Sequence, residues 1–151
     1  MRNFSHLPEL GDSKLPPGHG LRVLIADDER DTVITLGVLL RSEGFDVRMA
    51  TRAAEVPDAV HQFKPDFVLL DIGMPDQTGY DLARQLRARY GDACPTLIAV
   101  TAYRSAAEKA TAKASGFHHH IGKPYNPVAL IHLLSILKRR PLAAGPTNSR
   151  T

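Results

Sequence analysis

The sequence is poor in cysteine and contains no tryptophan. Its 151 residues include one cysteine, Cys94, which excludes an internal disulfide and a zinc site built on a Cys-x-x-Cys pair. Such a chain suits a reducing compartment, so we expect a cytoplasmic protein. The length matches one domain, which can bury a core without disulfide or metal cross-links.

Long hydrophobic runs are also missing. No stretch approaches the roughly 20 apolar residues that cross a bilayer. Residues 1–20 contain no apolar segment of the kind found in signal peptides. We therefore expect no insertion into a membrane.

Acidic residues are absent from positions 138–151. The net charge of +3 arises there, because residues 1–20 are formally neutral, residues 21–137 carry −1 and residues 138–151 carry +4. Four cations on a short tail release few counterions, and no recognition helix accompanies them. The charge distribution therefore disfavours nucleic acid as a partner.

Both ends of the chain have the composition of flexible segments. Residues 1–20 and 141–151 are rich in proline, glycine, alanine and small polar residues and show no periodicity. The folded domain is therefore predicted at residues 21–140.

Within this domain, short apolar runs alternate with helical patterns five times, which predicts a (βα)5 fold. The predicted strands are Leu21–Ala26, Phe45–Ala50, Phe67–Leu70, Thr96–Thr101 and Phe117–Ile121. Helical spacing of apolar residues is seen at Val33, Leu36 and Leu40, at Leu82 and Leu86, at Ala107, Ala110 and Ala114, and at Leu130, Leu134 and Leu137.

This alternation indicates an α/β protein with a doubly wound parallel sheet. The first, third and fourth runs are almost wholly apolar, as strands covered on both faces are. The second run alternates with Asp46 and Arg48, and the fifth carries three histidines. The second and fifth strands are therefore predicted at the edges, in the flavodoxin-like order 2-1-3-4-5. A ligand site is expected between strands one and three, where the strand order reverses.

Polar residues follow the strands at that position. Asp27 and Asp28 follow the first strand, Asp71 follows the third, Thr101 ends the fourth, and Lys123 comes soon after the fifth. Three converging carboxylates repel one another and call for a cation. Because Mg²⁺ prefers oxygen ligands and keeps several waters, the set predicts a magnesium site.

These residues lie in blocks that resemble the receiver domain of two-component response regulators. The blocks are LIADDE at 24–29, LLDIGMPDQTGYDL at 69–82, AVTAY at 99–103 and GKPY at 122–125. The resemblance spans about 120 residues, the whole predicted domain.

The resemblance implies that Asp71 accepts a phosphoryl group from the phosphohistidine of a histidine kinase or phosphotransfer protein. Mg²⁺ would be held by Asp27, Asp28, Asp71 and the backbone carbonyl of Gly73. Such a domain catalyses its own phosphorylation and dephosphorylation and is not otherwise an enzyme, since positioning and charge account for most of phosphoryl transfer.

The resemblance also implies a switch. Thr101 would hydrogen-bond the phosphoryl group, Lys123 would pair with it, and Lys123-Pro124 would be a cis peptide. Phosphorylation would then alter a protein-binding face made by the fourth helix, fifth strand and fifth helix. This face is also where a homodimer is expected.

Three residues depart from the family's usual pattern. Gly73 offers no side chain over the acceptor, whereas the bulky Tyr103 would shield it, so both are expected to modulate phosphoryl lifetime. His120 stands where the family usually has a tyrosine or phenylalanine that changes rotamer, and we expect it to act as a switch residue.

Two other functions were weighed against this one. A pseudo-receiver would bind proteins without accepting phosphate, but the presence of Asp28, Asp71, Thr101 and Lys123 argues against it. A haloacid-dehalogenase-like phosphohydrolase needs a second aspartate where this chain has Gly73. The initial methionine and the terminal tail favour a stand-alone protein over the receiver of a hybrid sensor kinase.

Overall fold

A parallel five-stranded sheet with the strand order 2-1-3-4-5 forms the centre of the structure. This computed structural model describes residues 15–16, 18–102 and 105–144, with side chains to residue 137. The strands are β1 (Arg22–Ala26), β2 (Asp46–Ala50), β3 (Phe67–Asp71), β4 (Thr96–Thr101) and β5 (His119–Gly122). The helices are α1 (Arg30–Ser42), α2 (Val56–Phe63), α3 (Gly79–Tyr90), α4 (Ala106–Ala114) and α5 (Pro127–Ala144). The predicted fold class and strand order are confirmed.

The central strands are apolar on both faces because helices cover both sides of the sheet. Successive side chains of a strand point to opposite faces. In β1, Val23 and Ile25 pack with residues of α1 and α5, whereas Leu24 and Ala26 pack with residues of α2, α3 and α4. The sheet therefore separates two apolar cores and is held firmly between them.

The edge strands have the polar character expected from the sequence. In β2, Asp46, Arg48 and Met49 are exposed. β5 is half-buried along its length and begins two residues later than predicted. Phe117 precedes it and is buried, with its N–H donating to the Ala112 carbonyl, so this residue closes α4 instead of starting the strand.

The helical spacing of apolar residues in α4 does not coincide with its buried face. Ala107, Ala110 and Ala114 are exposed, and the buried residues of this segment are Ala112 and Ser115. Five of the nine residues of α4 are alanine. Because alanines occur on both the exposed and the buried side of this helix, their spacing does not identify the face that packs on the sheet.

The folded region also extends beyond both predicted boundaries. Gly18 is buried, and its N–H donates to the Glu43 carbonyl over 2.8 Å. α5 continues to Ala144, so residues 141–144, assigned to the tail by composition, are helical. The rest of both predicted flexible segments, 1–14, 17 and 145–151, lies outside the described residues. Among the described helices, α5 included, we find no segment that is both long and apolar enough to span a membrane.

The packing predicts that two substitutions that remove a similar number of atoms change the free energy of unfolding by very different amounts. Leu24 is fully buried, whereas Ile34 on α1 is 54% exposed. We expect Leu24→Ala to lower the free energy of unfolding by about 3 kcal/mol, because it leaves a cavity in the core. Ile34→Ala should change it by less than about 0.5 kcal/mol. Urea unfolding followed by circular dichroism measures both, and equal losses would contradict the assignment of the core.

Candidate functional site

Three aspartates converge where the carboxyl ends of β1 and β3 meet. One carboxylate oxygen from each of Asp27, Asp28 and Asp71 lies within 4.8 Å of the others. Asp27 and Asp71 are buried, and Asp28 is exposed. The structure therefore brings together the acidic residues that the sequence predicted and leaves one side of the group open to water.

Asp27 is fixed by backbone and side-chain contacts. Its N–H donates to the Ala50 carbonyl over 3.0 Å, which continues the pairing of β1 with β2. Its Oδ1 accepts the Glu29 N–H at 3.0 Å, and its Oδ2 lies 3.0 Å from Lys123 Nζ. Both oxygens of this buried carboxylate are thus partnered.

Asp71 is the last residue of β3. Its Oδ1 accepts the N–H of Gly73 at 3.1 Å, and its Oδ2 lies 3.6 Å from Lys123 Nζ. Burial raises the pKa of Asp71, and the charges of Asp27 and Asp28 raise it further. The Gly73 N–H and the Lys123 charge oppose this rise only in part. The positive charge near Asp71 is therefore too small to offset its burial and the neighbouring carboxylates.

Lys123 follows β5 and is joined to Pro124 by a cis peptide bond, as expected. Its N–H donates to the Thr101 carbonyl over 2.8 Å. Burial by itself lowers the pKa of Lys123, but the hydrogen bond from Lys123 to Asp27 and the nearby carboxylates raise it above the ordinary value. One of those carboxylates is Glu29, whose Oε1 lies 3.6 Å from Nζ. This contact of Glu29 is not evident from the sequence.

The predicted switch residues lie on neighbouring strands. Thr101 ends β4 and is buried, opposite Gly122 of β5. His120 stands opposite Ala99, and its Nε2 is buried with no hydrogen-bond partner among the described residues. Tyr103, predicted to shield the site, lies outside the described residues.

Gly73 leaves space beside Asp71. A Cβ built there would approach only Asp71 Oδ1, at 3.8 Å, and the residue is exposed. The entrance to Asp71 is therefore wide on this side.

Two further residues hold the loop between β3 and α3, and the sequence analysis gave them no role. Asp76 accepts the N–H groups of Ala53 and Ala54, each at 3.1 Å, and these bonds lower its pKa. A Cβ at Gly79 would lie 2.9 Å from Ile72 Cα, so only glycine allows α3 to start this close to β3. Both belong to the segment PDQTG at 75–79, and its turn-forming composition is the sequence feature that could have identified them.

The donor atoms of the site suit a hard divalent cation. Asp27, Asp28 and Asp71 offer carboxylate oxygens, the ligands that Mg²⁺ prefers, and the exposed Asp28 leaves room for the waters that Mg²⁺ retains. A cation would also relieve the repulsion that raises the pKa of Asp71. The residues present therefore fit a magnesium ion.

Comparison with known proteins identifies the class to which this fold and site belong. The family model of the response regulator receiver domain matches residues 23–135. The chain therefore belongs to the response regulator receiver domain family of two-component signalling.

Several relatives share this domain. The chain is 30% identical over 122 residues to the transcriptional regulatory protein GltR of Pseudomonas aeruginosa, covering 81% of this chain and 50% of GltR. It is 32% identical over 119 residues to the DNA-binding response regulator MtrA of Mycobacterium tuberculosis, covering 79% of this chain and 51% of MtrA. The chain thus spans about half the length of these relatives.

A solved structure gives the same result. A CheY-like response regulator receiver domain protein from Methanospirillum hungatei superposes with a TM-score of 0.74 at 26% identity, covering 82% of this chain and 98% of that one.

We expect the metal-free protein to become more stable when the Asp71 carboxylate is replaced by an uncharged side chain. The pKa of Asp71 is higher in the folded state than in the unfolded state. The free energy of unfolding therefore falls as the pH rises from the ordinary carboxyl range through the raised pKa, because Asp71 ionises less readily in the folded state. We therefore expect Asp71→Asn to melt at a higher temperature in EDTA at pH 7, by roughly 3 °C for each kcal/mol gained. Calorimetry measures the difference.

The difference in melting temperature between Asp71→Asn and the wild type should become smaller in two conditions. At a pH low enough to protonate Asp71, the wild type no longer carries the unfavourable charge. With Mg²⁺ added, the wild type gains stability by binding the ion. Asp92→Asn, at an exposed aspartate in the turn after α3, should leave the melting temperature unchanged. A less stable Asp71→Asn variant in EDTA would contradict the electrostatic argument.

Proposed function

We propose that Asp71 of this chain accepts a phosphoryl group from the phosphohistidine of a histidine kinase or phosphotransfer protein, with Mg²⁺ bound beside it. The observation that carries the proposal is the convergence of Asp27, Asp28 and Lys123 on the buried Asp71. Belonging to the receiver family supports it.

The contacts of Asp71 suggest how its carboxylate is presented. The Gly73 N–H holds Oδ1, which leaves Oδ2, on the side of Lys123, to attack phosphorus. The phosphorus–nitrogen bond of the donor breaks as the phosphorus–oxygen bond forms. Lys123 supplies positive charge to the transferred group, and the rigid strand ends keep both residues in position.

The proposed metal ligands are Asp27, Asp28, Asp71 and the Gly73 carbonyl. A bound Mg²⁺ would supply positive charge shared by the attacking carboxylate and the phosphoryl oxygens. Water molecules would reach it past the exposed Asp28.

The proposed switch starts from the contacts of Lys123. At present Nζ lies 3.0 Å from Asp27 and 3.6 Å from Asp71. A phosphoryl group on Asp71 would add acceptor oxygens and draw both Lys123 and the Thr101 hydroxyl towards it. Because Lys123 follows β5 directly, this shift would reach His120 and the face made by α4, β5 and α5.

That face is the proposed contact for a downstream protein or a second copy of the chain. α5 contributes the exposed apolar residues Val128 and Ile136, which are 73% and 39% exposed. DNA binding is part of the name of MtrA, and the charge distribution of this chain gives no support for it here. We place the chain in the cytoplasm, where the ATP-dependent kinases that donate the phosphoryl group act.

Gly73 and Tyr103 are proposed to set the lifetime of the phosphoryl group. The open space at Gly73 would let water approach Asp71, and Tyr103 would limit that approach. The pseudo-receiver and the phosphohydrolase are disfavoured. The acidic group is complete, and Gly73 leaves no second aspartate to act as an acid.

The direct test is phosphorylation by acetyl phosphate with and without Mg²⁺, followed by intact mass measurement and site mapping. We expect a gain of one phosphoryl group on Asp71 that requires Mg²⁺. Asp71→Asn should abolish the gain, and the exposed control Asp92→Asn should keep it. Label that persists on the Asp71→Asn protein would refute the acceptor assignment, and failure of both acetyl phosphate and beryllofluoride to bind would favour a pseudo-receiver.

A second prediction separates the role of Lys123 from that of the acidic residues. Lys123→Ala should still bind Mg²⁺, because the three aspartates remain, but its phosphorylated form should not change conformation. Nuclear magnetic resonance shifts of β5 and α4 amides, with and without beryllofluoride, measure this coupling. Lys123→Arg tests whether positive charge alone restores it. A normal shift in Lys123→Ala would refute the assigned role.

A further inference from the structure

A basic cleft lies on the α4 side of the sheet, near the start of β5. Its cationic side chains are Arg87 of α3 and Lys109 and Lys113 of α4, and its floor includes Phe117 and His118. The cavity measures about 640 Å³, and none of the described residues that line it is acidic. The basic cleft also includes His119 and His120 of β5, but neither Lys123 nor any of the three aspartates, so it is distinct from the phosphoacceptor site.

The contacts of His118 leave the basic cleft with more hydrogen-bond donors than acceptors. The ring Nδ1 accepts the backbone N–H of Leu97 at 2.9 Å, so Nδ1 carries no proton. Desolvation of the ring and the nearby charge of Arg87 lower the pKa of His118, so the ring is neutral at pH 7. Its one proton is therefore on Nε2.

That proton faces another donor. Arg87 Nη1 lies 2.6 Å from His118 Nε2, and the same Nη1 also donates to the Gly116 carbonyl. Moving the proton to Nδ1 would only transfer the conflict to the Leu97 N–H. An acceptor that both Nε2–H and the guanidinium can share, such as a carboxylate oxygen, resolves it.

The length of the row of cationic side chains indicates the size of the ligand that carries this acceptor. Lys109 and Lys113 are one helical turn apart on α4, and both are exposed together with Arg87. A single carboxylate contacts only part of this row, whereas an extended segment with several acidic side chains contacts all of it. β5 is the outermost strand of the described sheet, so an extended chain can lie along it.

The geometry points to the basic cleft as a docking site for an acidic peptide segment of a partner protein, with one carboxylate seated between Arg87 and His118. This binding does not require phosphate on Asp71. It uses charge complementarity on the α4 and β5 part of the proposed protein-binding face, outside the acidic site, and so adds the chemistry of a partner to the proposed function.

The test uses a synthetic peptide with several consecutive glutamates, labelled with fluorescein, and the matched glutamine peptide. We expect the glutamate peptide to bind the wild type and the Asp71→Asn protein equally, with affinity falling as salt is added. Its binding should shift the nuclear magnetic resonance signals of the His118 ring and the Leu97 amide. The glutamine peptide should not bind.

Two variants with the same change in charge locate the site. Lys113→Glu reverses an exposed charge in the basic cleft and should weaken binding at least tenfold. Arg48→Glu reverses an exposed charge on β2, at the opposite edge of the sheet, and should change it less than twofold. Equal losses in both variants would show non-specific attraction and overturn the proposal, as would inorganic phosphate binding as tightly as the peptide. An Arg87→Gln protein that keeps full affinity would contradict the placement of a carboxylate between Arg87 and His118.

Discussion

The ion pairs of Lys123 with the strand-end carboxylates hold the functional edge of the domain together. One ammonium group lies 3.0 Å from Asp27 and 3.6 Å from both Asp71 and Glu29. One cation does not balance this acidic group, which explains why the pKa of Asp71 stays raised despite its presence. The site therefore holds a poorly compensated carboxylate and favours a divalent cation.

The fold is built so that this unfavourable arrangement persists. The sheet is packed between two apolar cores, and the residues before Asp27 and Asp71 belong to its innermost strands. Asp76 ties the loop after β3 to the turn that precedes α2, and Gly79 lets α3 begin against that loop. The free energy from core packing offsets the cost of gathering like charges at one edge, as is common at functional sites.

β5 connects two regions of different chemistry. Its carboxyl end leads into Lys123 and the acidic site, whereas His118, which immediately precedes the strand, lines the basic cleft. Between them, His120 has a buried Nε2 without a hydrogen-bond partner among the described residues. A strand at the edge of the sheet, half-buried throughout, moves at a lower cost than the central strands do. This explains why both the proposed switch and the proposed docking site involve it.

Apolar runs and their spacing determined the element order and the edge strands. They also determined the edge of the sheet at which the site residues meet, because parallel strands place their carboxyl ends together. These residues are Asp27, Asp28, Asp71, Thr101 and Lys123. The face of alanine-rich α4 and the contacts of Glu29, Asp76 and His118 were decided only by the tertiary structure. These features depend on which distant groups come within hydrogen-bond distance, and local patterning carries no information about that. His118 shows the reason most clearly, since Arg87 and Leu97 become its neighbours only when α3 and β4 pack beside β5.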